Sequence, residues 1–360
     1  MQISLDRQAN ERTANLEQRD PQSGDAKKRP PLKYSGMGCS SEKQGLILME
    51  NLYRSTLKSG SIMSGHYRYS DVFQITISKK ESSIRDGKYL DIEYNQAYAN
   101  APLSAAAKDG TDDVFFENIT QERAHLDFLK ELISLLSIVT NQYYDLNFDG
   151  ERNIRPSDQE RIETFSDTSS SLEIKKDPNR VVQRQNFTMS FVSIHPAADD
   201  FFKNYFKLNS EARARYDASI FLYQSMRKIF LTSASMAIIG LISAVENLVD
   251  FDSKKANENP RQCKECNQLI YSISKRFKEF MQKFSEFDVE NSNSLLNKFY
   301  SRRSSISHAG GILEIDRLLS KFSMAEHREF TEIESHVRIA LFNYLLKYDF
   351  GDEATTKQSD

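Results

Sequence analysis

The stretch Phe299-Tyr300-Ser301-Arg302-Arg303-Ser304-Ser305-Ile306-Ser307-His308-Ala309-Gly310-Gly311 decides how this chain reads. Its apolar positions, with Leu295 and Leu296 before them, recur at spacings of three and four, the face of an α-helix. Gly310-Gly311 then supplies a left-handed stop. Stepping along the inward stripe from Leu296 through Phe299 and Tyr300 lands on Arg303, then on Ile306 and Ser307. Arg303 therefore points toward the packed side or its edge, where a charge is costly unless it is paired. His308 falls at the helix end, about 140° round the axis from Arg303 in a regular helix. An arginine fork grips a phosphate, and a histidine is the side chain best suited to moving protons near neutral pH.

Working outward, the whole chain has 360 residues, 39% hydrophobic and 28% charged. That is room for about two domains with a core of ordinary size. A net charge of −3 gives no global basic field, so any RNA site has to be a local patch. Three cysteines, Cys39, Cys263 and Cys266, cannot make a disulfide framework and fit a reducing cytosol. The opening Met1-Gln2-Ile3-Ser4-Leu5-Asp6 lacks a secretion pattern, so a cytoplasmic protein is expected. Residues 229–249, with Met236-Ala237-Ile238-Ile239-Gly240-Leu241-Ile242, resemble a membrane span. Only about 16 residues run before Glu246-Asn247, short of the roughly 20 a bilayer requires. A buried bundle helix is the better reading, and no membrane partner is expected. Asn118-Ile119-Thr120 and Asn186-Phe187-Thr188 match a glycosylation pattern that means little without secretion.

Residues 1–43 are polar, with Pro30-Pro31, and read as a flexible arm. Residues 44–195 read as a smaller α/β domain of unassigned role. Within it, 46–57 reads as a short helix, and Val72-Phe73-Gln74-Ile75-Thr76-Ile77 and Tyr89-Leu90-Asp91-Ile92-Glu93-Tyr94 read as two strands about Asp86-Gly87. Asn118 or Thr120 caps a helix carrying Leu126, Leu129, Leu132, Ile133, Leu136 and Val139. Residues 145–185 read as a long exposed loop, and Phe187-Thr188-Met189-Ser190-Phe191-Val192-Ser193-Ile194 as another strand. From 196 to 350 the pattern is helical, over 199–207, 210–227, 231–250, 262–287, 292–307 and 329–348, and describes an α-bundle. The tail from 351 is frayed.

Other candidate chemistry is sparse. An inward Arg303 needs an acid, and Glu246 stands near the end of an otherwise apolar helix. A structural Arg303–Glu246 ion pair is thus the plain alternative to a phosphate grip, and a helix-capping histidine is the plain alternative at His308. Cys263-Lys264-Glu265-Cys266 has the spacing of half a zinc site. Plain thiols, a half-site completed by another ligand or a second chain, and a redox pair all remain open. Asp145-Leu146-Asn147-Phe148-Asp149-Gly150 begins like a calcium loop, but Pro156 stands where the twelfth-position Glu is needed, so it reads as a turn. Lys275, Arg276, Lys278, Lys283, Lys298 and Arg302 form either a patch near the site or a solvated helix face. The chain has no P-loop, GxSxG or H-E-x-x-H motif.

The run from Phe299 to Gly310, with Ala244-Val245-Glu246-Asn247-Leu248 before it and a helical pattern after it, resembles HEPN domains, in particular the Apea-like HEPN group. The closing motif of that group runs Y-x-x-R-S-x-I-x-H-G. The resemblance covers residues 210–350. It departs from the pattern where Ala309 separates His308 from Gly310, and where Ser304 stands in place of the Asn, Asp or His of many active members. The resemblance implies a mainly α protein, its HEPN-like bundle preceded by a smaller α/β domain. It implies a metal-independent endoribonuclease, without cofactor, leaving 2′,3′-cyclic phosphate and 5′-hydroxyl ends. Arg303 would hold the scissile phosphate, His308 would act as general base or acid, and Ser304 would orient one of them. Arg302 is the alternative arginine. The same resemblance implies a homodimer acting on RNA, in bacterial antiphage defence or toxin-mediated growth arrest, with an antitoxin or defence-system protein as a further partner. A non-catalytic HEPN module binding RNA, nucleotide or a partner protein is the alternative.

Overall fold

Alternation of side chains along β1 (Leu52–Ser59) starts a five-stranded antiparallel sheet. The computed structural model describes residues 52–78, 89–99, 113–146, 162–183, 191–255, 261–262, 269–270, 273–285, 289–317 and 324–350. The sheet adds β2 (Tyr67–Tyr69), β3 (Phe73–Ile77), β4 (Tyr89–Asn95) and β5 (Tyr144–Asp145), in the order β2-β3-β4-β1-β5. The β1–β4 register sets Arg54 opposite Glu93 and Thr56 opposite Asp91. One face carries Leu57, Ile75, Leu90, Ile92 and Tyr94 into the core. There α1 (Asp113–Thr140) lays Phe128 and His125 against Tyr94 and Tyr53, and α2 (Ala198–Lys207) sets Phe202 edge-on to Phe73.

The expected helix over 46–57 is corrected, since 52–59 is a strand. Its buried face includes Ser55 and Ser59, and two small polar residues on the inner face disguise the period of two. The loop expected over 145–185 stands for the most part, since 162–183 is largely coil and exposed, but it is tied to the sheet at a few points. Its described part covers the polar face of the sheet, and Ile174, Arg180 and Val181 are buried. Ser166 donates from both backbone and side chain to the fully buried Glu93, which also accepts from Arg54 and Gln74. In the same part β6 (Lys175–Lys176) pairs in parallel with β7 (Ser193–Ile194), the described piece of the strand expected over 187–194. Helix α1 begins at Asp113, so the expected start at Asn118 or Thr120 is corrected, both lying inside the helix.

Helices α3 (Ser210–Ile229), α4 (Ala234–Lys255), α5 (Ile273–Phe284) and α6 (Val289–Ala309) follow the expected pattern, as does α8 (Met324–Leu346), while the short α7 (Glu314–Arg317) between α6 and α8 is not part of it. The expected helix over 262–287 is shortened, because Arg261–Gln262 (β8) and Leu269–Ile270 (β9) pair as antiparallel strands before α5. The apolar α4 is long enough to span a membrane by composition, but it sits in the middle of the bundle, packed on α3, α5, α6 and α8. Ala237, Ile238, Leu241, Ile242, Val245 and Leu248 are fully buried there, as fits a core helix hydrophobic nearly all round. Sheet and helices share one hydrophobic cluster. The arm over 1–43, the tail from 351, the turn at Asp86-Gly87, most of the calcium-like loop, and Cys39, Cys263 and Cys266 lie outside the described residues.

Candidate functional site at the end of helix α6

The inward stripe of α6 anchors it: Leu296 and Phe299 are buried, while Leu295, Tyr300 and Ile306 pack at the edge of the core. Continuing that stripe, Arg303 points at α4. Its Nη2 lies 3.2 Å from Glu246 Oε2, with side-chain exposures of 24% and 15%. Buried polar groups require partners, and this pair explains why an apolar helix carries an acid at that position. Its neighbour Asn247 ties α4 to α3, donating to the Arg215 carbonyl and the Ser219 hydroxyl at 2.7 and 2.9 Å. The Arg303 guanidinium carbon stands 6.0 Å above the Tyr300 ring. Burial, then the charge of Glu246, pushes the Tyr300 phenol up.

His308 occupies the exposed last turn of α6. Regular helix geometry leaves it well round the axis from Arg303, and the long arginine side chain closes the gap. Arg303 Nη1 reaches to 3.5 Å from His308 Nε2, the outer edge of hydrogen bonding. Gly310 ends the helix at φ +63°, a conformation that glycine adopts freely and other residues resist. The Gly311 N–H donates to the Ser305 carbonyl at 3.1 Å, and a Cβ on Gly311 would sit 2.7 Å from Ser305 Oγ. This turn therefore fixes where the imidazole stands.

Beyond the turn, the carboxylate of Asp316 in α7 accepts from the backbone of Ala234 and Ser235 at 2.7 and 2.8 Å, and from the Ser233 hydroxyl at 3.3 Å. It caps the first turn of α4 from another element, satisfying donors that a helix start leaves open. Burial works to raise the Asp316 carboxyl, but hydrogen bonds from Ser235, Ala234 and Ser233 outweigh it and hold it below its usual range. Sequence reasoning missed this cap. Its only signal was an acid a few residues past the glycine turn.

The other candidates separate. Arg302 turns away from Arg303 and makes two hydrogen bonds with Glu329 of α8, at 2.9 and 3.0 Å. Lys298 lies 3.7 Å from the same carboxylate. Both cations thus serve the α6–α8 contact. Lys275 pairs with Glu279 one turn on at 3.6 Å, which suits a solvated helix face. Ser304 is half-exposed and makes no side-chain hydrogen bond to Arg303 or His308 among the described residues. No three His, Cys, Asp or Glu side chains gather as a metal-holding group among the described residues.

The geometry therefore offers a cation held on one side by a carboxylate, an imidazole 3.5 Å away on its other side, and exposure to solvent at a helix end. Comparison with protein-family models, with curated proteins and with solved structures finds no match for this chain.

Proposed function

We propose that the end of α6 is the cleavage centre of a metal-independent endoribonuclease of HEPN type, with Arg303 and His308 as its catalytic pair. The observation that carries this reading is the 3.5 Å approach of Arg303 Nη1 to His308 Nε2 at an exposed helix end. A phosphodiester oxygen held by Nη1 lies within reach of the imidazole. RNA brings its own nucleophile. The imidazole takes the proton of the 2′-hydroxyl, that oxygen bonds to phosphorus, and the 5′-oxygen leaves with a proton returned to it. The products are a 2′,3′-cyclic phosphate and a 5′-hydroxyl. Arg303 stabilises the negative charge that builds on the phosphoryl oxygens. Glu246 is a positioning residue that turns Nη1 toward His308. A cytoplasmic homodimer with two such ends facing one cleft, in antiphage defence or growth arrest with an antitoxin or defence partner, completes the proposal.

One observation favours a second reading. Glu246 offsets much of the charge that Arg303 would present to a phosphate, as in a non-catalytic HEPN module that binds RNA, nucleotide or a partner protein and keeps the pair for packing. Incubating the purified chain with single-stranded RNA in excess EDTA separates the two. Cleavage that leaves cyclic phosphate ends and disappears in His308→Ala, with an unchanged circular dichroism melt, supports the enzyme. No cleavage, strict dependence on added magnesium or manganese, or a His308→Ala variant as fast as the parent removes it.

A further inference from the structure

Away from α6, the facing surfaces of α1 and α3 do not close on each other. Leu126, Lys130 and Ile133 recur along α1, and Phe221, Gln224, Ser225 and Lys228 along α3, at the three- and four-residue spacings of a single helix face. Together with Tyr143, Tyr144 and Leu146, which follow α1, these two stripes line an open cleft of about 350 Å³. Pockets that take small molecules begin at about 300 Å³. Two serines make the room. Ser134 of α1 and Ser225 of α3 also line the cleft, and a serine fills less of the space between two helices than the leucines and phenylalanines of the surrounding core.

The walls are tied together without filling the cleft. Gln224 Nε2 donates to the Tyr144 carbonyl at 3.0 Å and joins α3 to β5, and the Tyr144 hydroxyl lies 2.8 Å from Thr140 Oγ1 at the end of α1. Ile133, Tyr144 and Leu146 are buried, while Leu126 and Phe221 pack on the core with part of their surface open. A concave apolar surface held in place this way favours an apolar ligand, because contact removes both surfaces from water.

The charges that line the cleft have one sign. Lys130 and Lys228 line it, and no acid does. Each lysine has an acid outside the lining: Lys130 Nζ lies 3.4 Å from Asp127, one turn back on α1, and Lys228 Nζ lies 3.7 Å from Asp145. The lysine side chains are 52% and 62% exposed. Exposed pairs of this kind contribute little, so both ammoniums remain open to a further anion. Burial raises the Tyr144 phenol to about 12, against its hydrogen bond with Thr140 and the positive charges of Arg180 and Arg227. Those two buried guanidiniums thus stand behind the cleft and add charge of the same sign.

We infer that the α1–α3 cleft binds a medium-chain fatty acid as its carboxylate, with the hydrocarbon tail against Leu126, Ile133 and Phe221 and the head between Lys130 and Lys228. The tail takes the apolar surface of the cleft out of water, and the carboxylate meets two ammoniums without entering the core. An uncharged apolar molecule buries the same surface and leaves the lysines unused. A nucleotide or sugar phosphate meets the lysines but lays its many polar groups against leucine, isoleucine and phenylalanine, where each buried group without a partner is unfavourable. Binding here is independent of the chemistry at the end of α6.

The test is isothermal titration calorimetry of the full chain with hexanoate, octanoate and decanoate, each below its micelle concentration. Decanol and decyltrimethylammonium form the neutral and cationic arms. One site per chain is expected, tightening about tenfold for each added pair of methylenes, with decanol weaker than decanoate and the cation giving no heat. Ser225→Phe changes an exposed residue and fills the cleft, so it should abolish binding of decanoate and decanol alike. Lys130→Met combined with Lys228→Met, also exposed, should weaken decanoate about tenfold and leave decanol unchanged. Circular dichroism melts check that both variants fold. No saturable heat with any of the acids, or decanoate binding that survives Ser225→Phe in a folded chain, overturns the site. Equal binding of decanol or of the cation overturns its assignment to a carboxylate. Retention of the chain on phosphatidylglycerol vesicles without binding of free decanoate assigns the surface to a membrane and overturns the free acid as its ligand.

Discussion

Replacing Arg303 and Arg302 in turn by alanine separates catalysis from packing, because both arginines hold a partly buried acid and only one faces His308. Arg303→Ala leaves Glu246, 15% exposed, without its ion pair. Stranding such an acid costs about 1–3 kcal/mol. Arg302→Ala strands Glu329, only 5% exposed, but Lys298 remains 3.7 Å from it and limits the loss to about the same range or less. The two variants should therefore melt at similar temperatures below the parent. Their rates should differ widely. Removing one donor to a developing oxyanion costs about 10²–10³-fold, and Arg303→Ala should show that loss in a fluorogenic RNA assay, while Arg302→Ala stays within a few-fold of the parent. Adding Glu246→Gln to Arg303→Ala removes the stranded charge and should recover melting temperature with no recovery of rate. Equal rate defects in the two single variants would show that α6 is turned differently from the register described. Cleavage regained in the double variant would show that Arg303 acts only through stability.

Three further outcomes are expected. Burial, then the charge of Glu131, raises Asp217 to about 7, against the hydrogen bond from Tyr205 and the charge of Arg213. The folded chain thus holds a proton that the unfolded chain releases near pH 4, so this contribution is complete below that pH and is lost as pH rises through about 7. Melting temperature should fall between about pH 4 and 7 and level off above that, and Asp217→Asn should flatten that fall and melt above the parent at about pH 8.5; an unchanged slope refutes the assignment. At the helix stop, Gly310→Ala meets no neighbour within 4 Å and strains only its φ of +63°, for about 1–2 kcal/mol. Gly311→Ala has no left-handed φ to strain and presses only on Ser305, whose exposed hydroxyl can turn aside, so it should lose less than Gly310→Ala, with a larger loss counting against this turn. Mixing His308→Ala chains with Arg303→Ala chains tests a shared dimer site. Partial recovery of cleavage supports arginine and histidine acting from different chains, and no recovery assigns each site to one chain.

The reading of α6 was accessible from sequence because its evidence is local. The stripe from Leu296 to Ile306 and the Gly310 stop both act within a few turns, and Arg303 on that stripe calls for an acid, which α4 supplies as Glu246. The alternation of β3 and β4 was legible for the same reason. What failed depends on distant partners. Ser55 and Ser59 are buried in β1 only because β4 and β5 flank that strand, and no local pattern marks a serine as inward-facing. Ser166 looks like loop sequence until Glu93, 73 positions away, accepts its hydroxyl and N–H. Arg180, Arg227 and Arg338 come from three distant parts of the chain to be buried on the turn after α1, and each alone reads as a surface cation. Stripe position alone puts Arg302 outside the inward face that Arg303 continues. The bidentate bond to Glu329 gives the physical basis, a surface cation recruited to hold α6 on α8.

Helix α4 is the element that makes the α6 end specific. Asp316 is bonded to its first turn, and Arg303 is bonded to Glu246, 12 residues or about 18 Å further along at 1.5 Å per residue. Between those two attachments the chain runs through His308 and the Gly310–Gly311 turn, so the imidazole lies on a segment fixed to α4 at both ends. A histidine serving only as a cap needs neither attachment, because the carbonyls it would satisfy belong to α6 alone. A histidine that must meet a phosphate held by Arg303 needs both, since a displacement of about 1 Å between reacting groups can cost 10²-fold in rate. The acid inside an apolar helix and the carboxylate cap on its first turn are thus two parts of one arrangement, and it holds His308 at a set distance from Arg303.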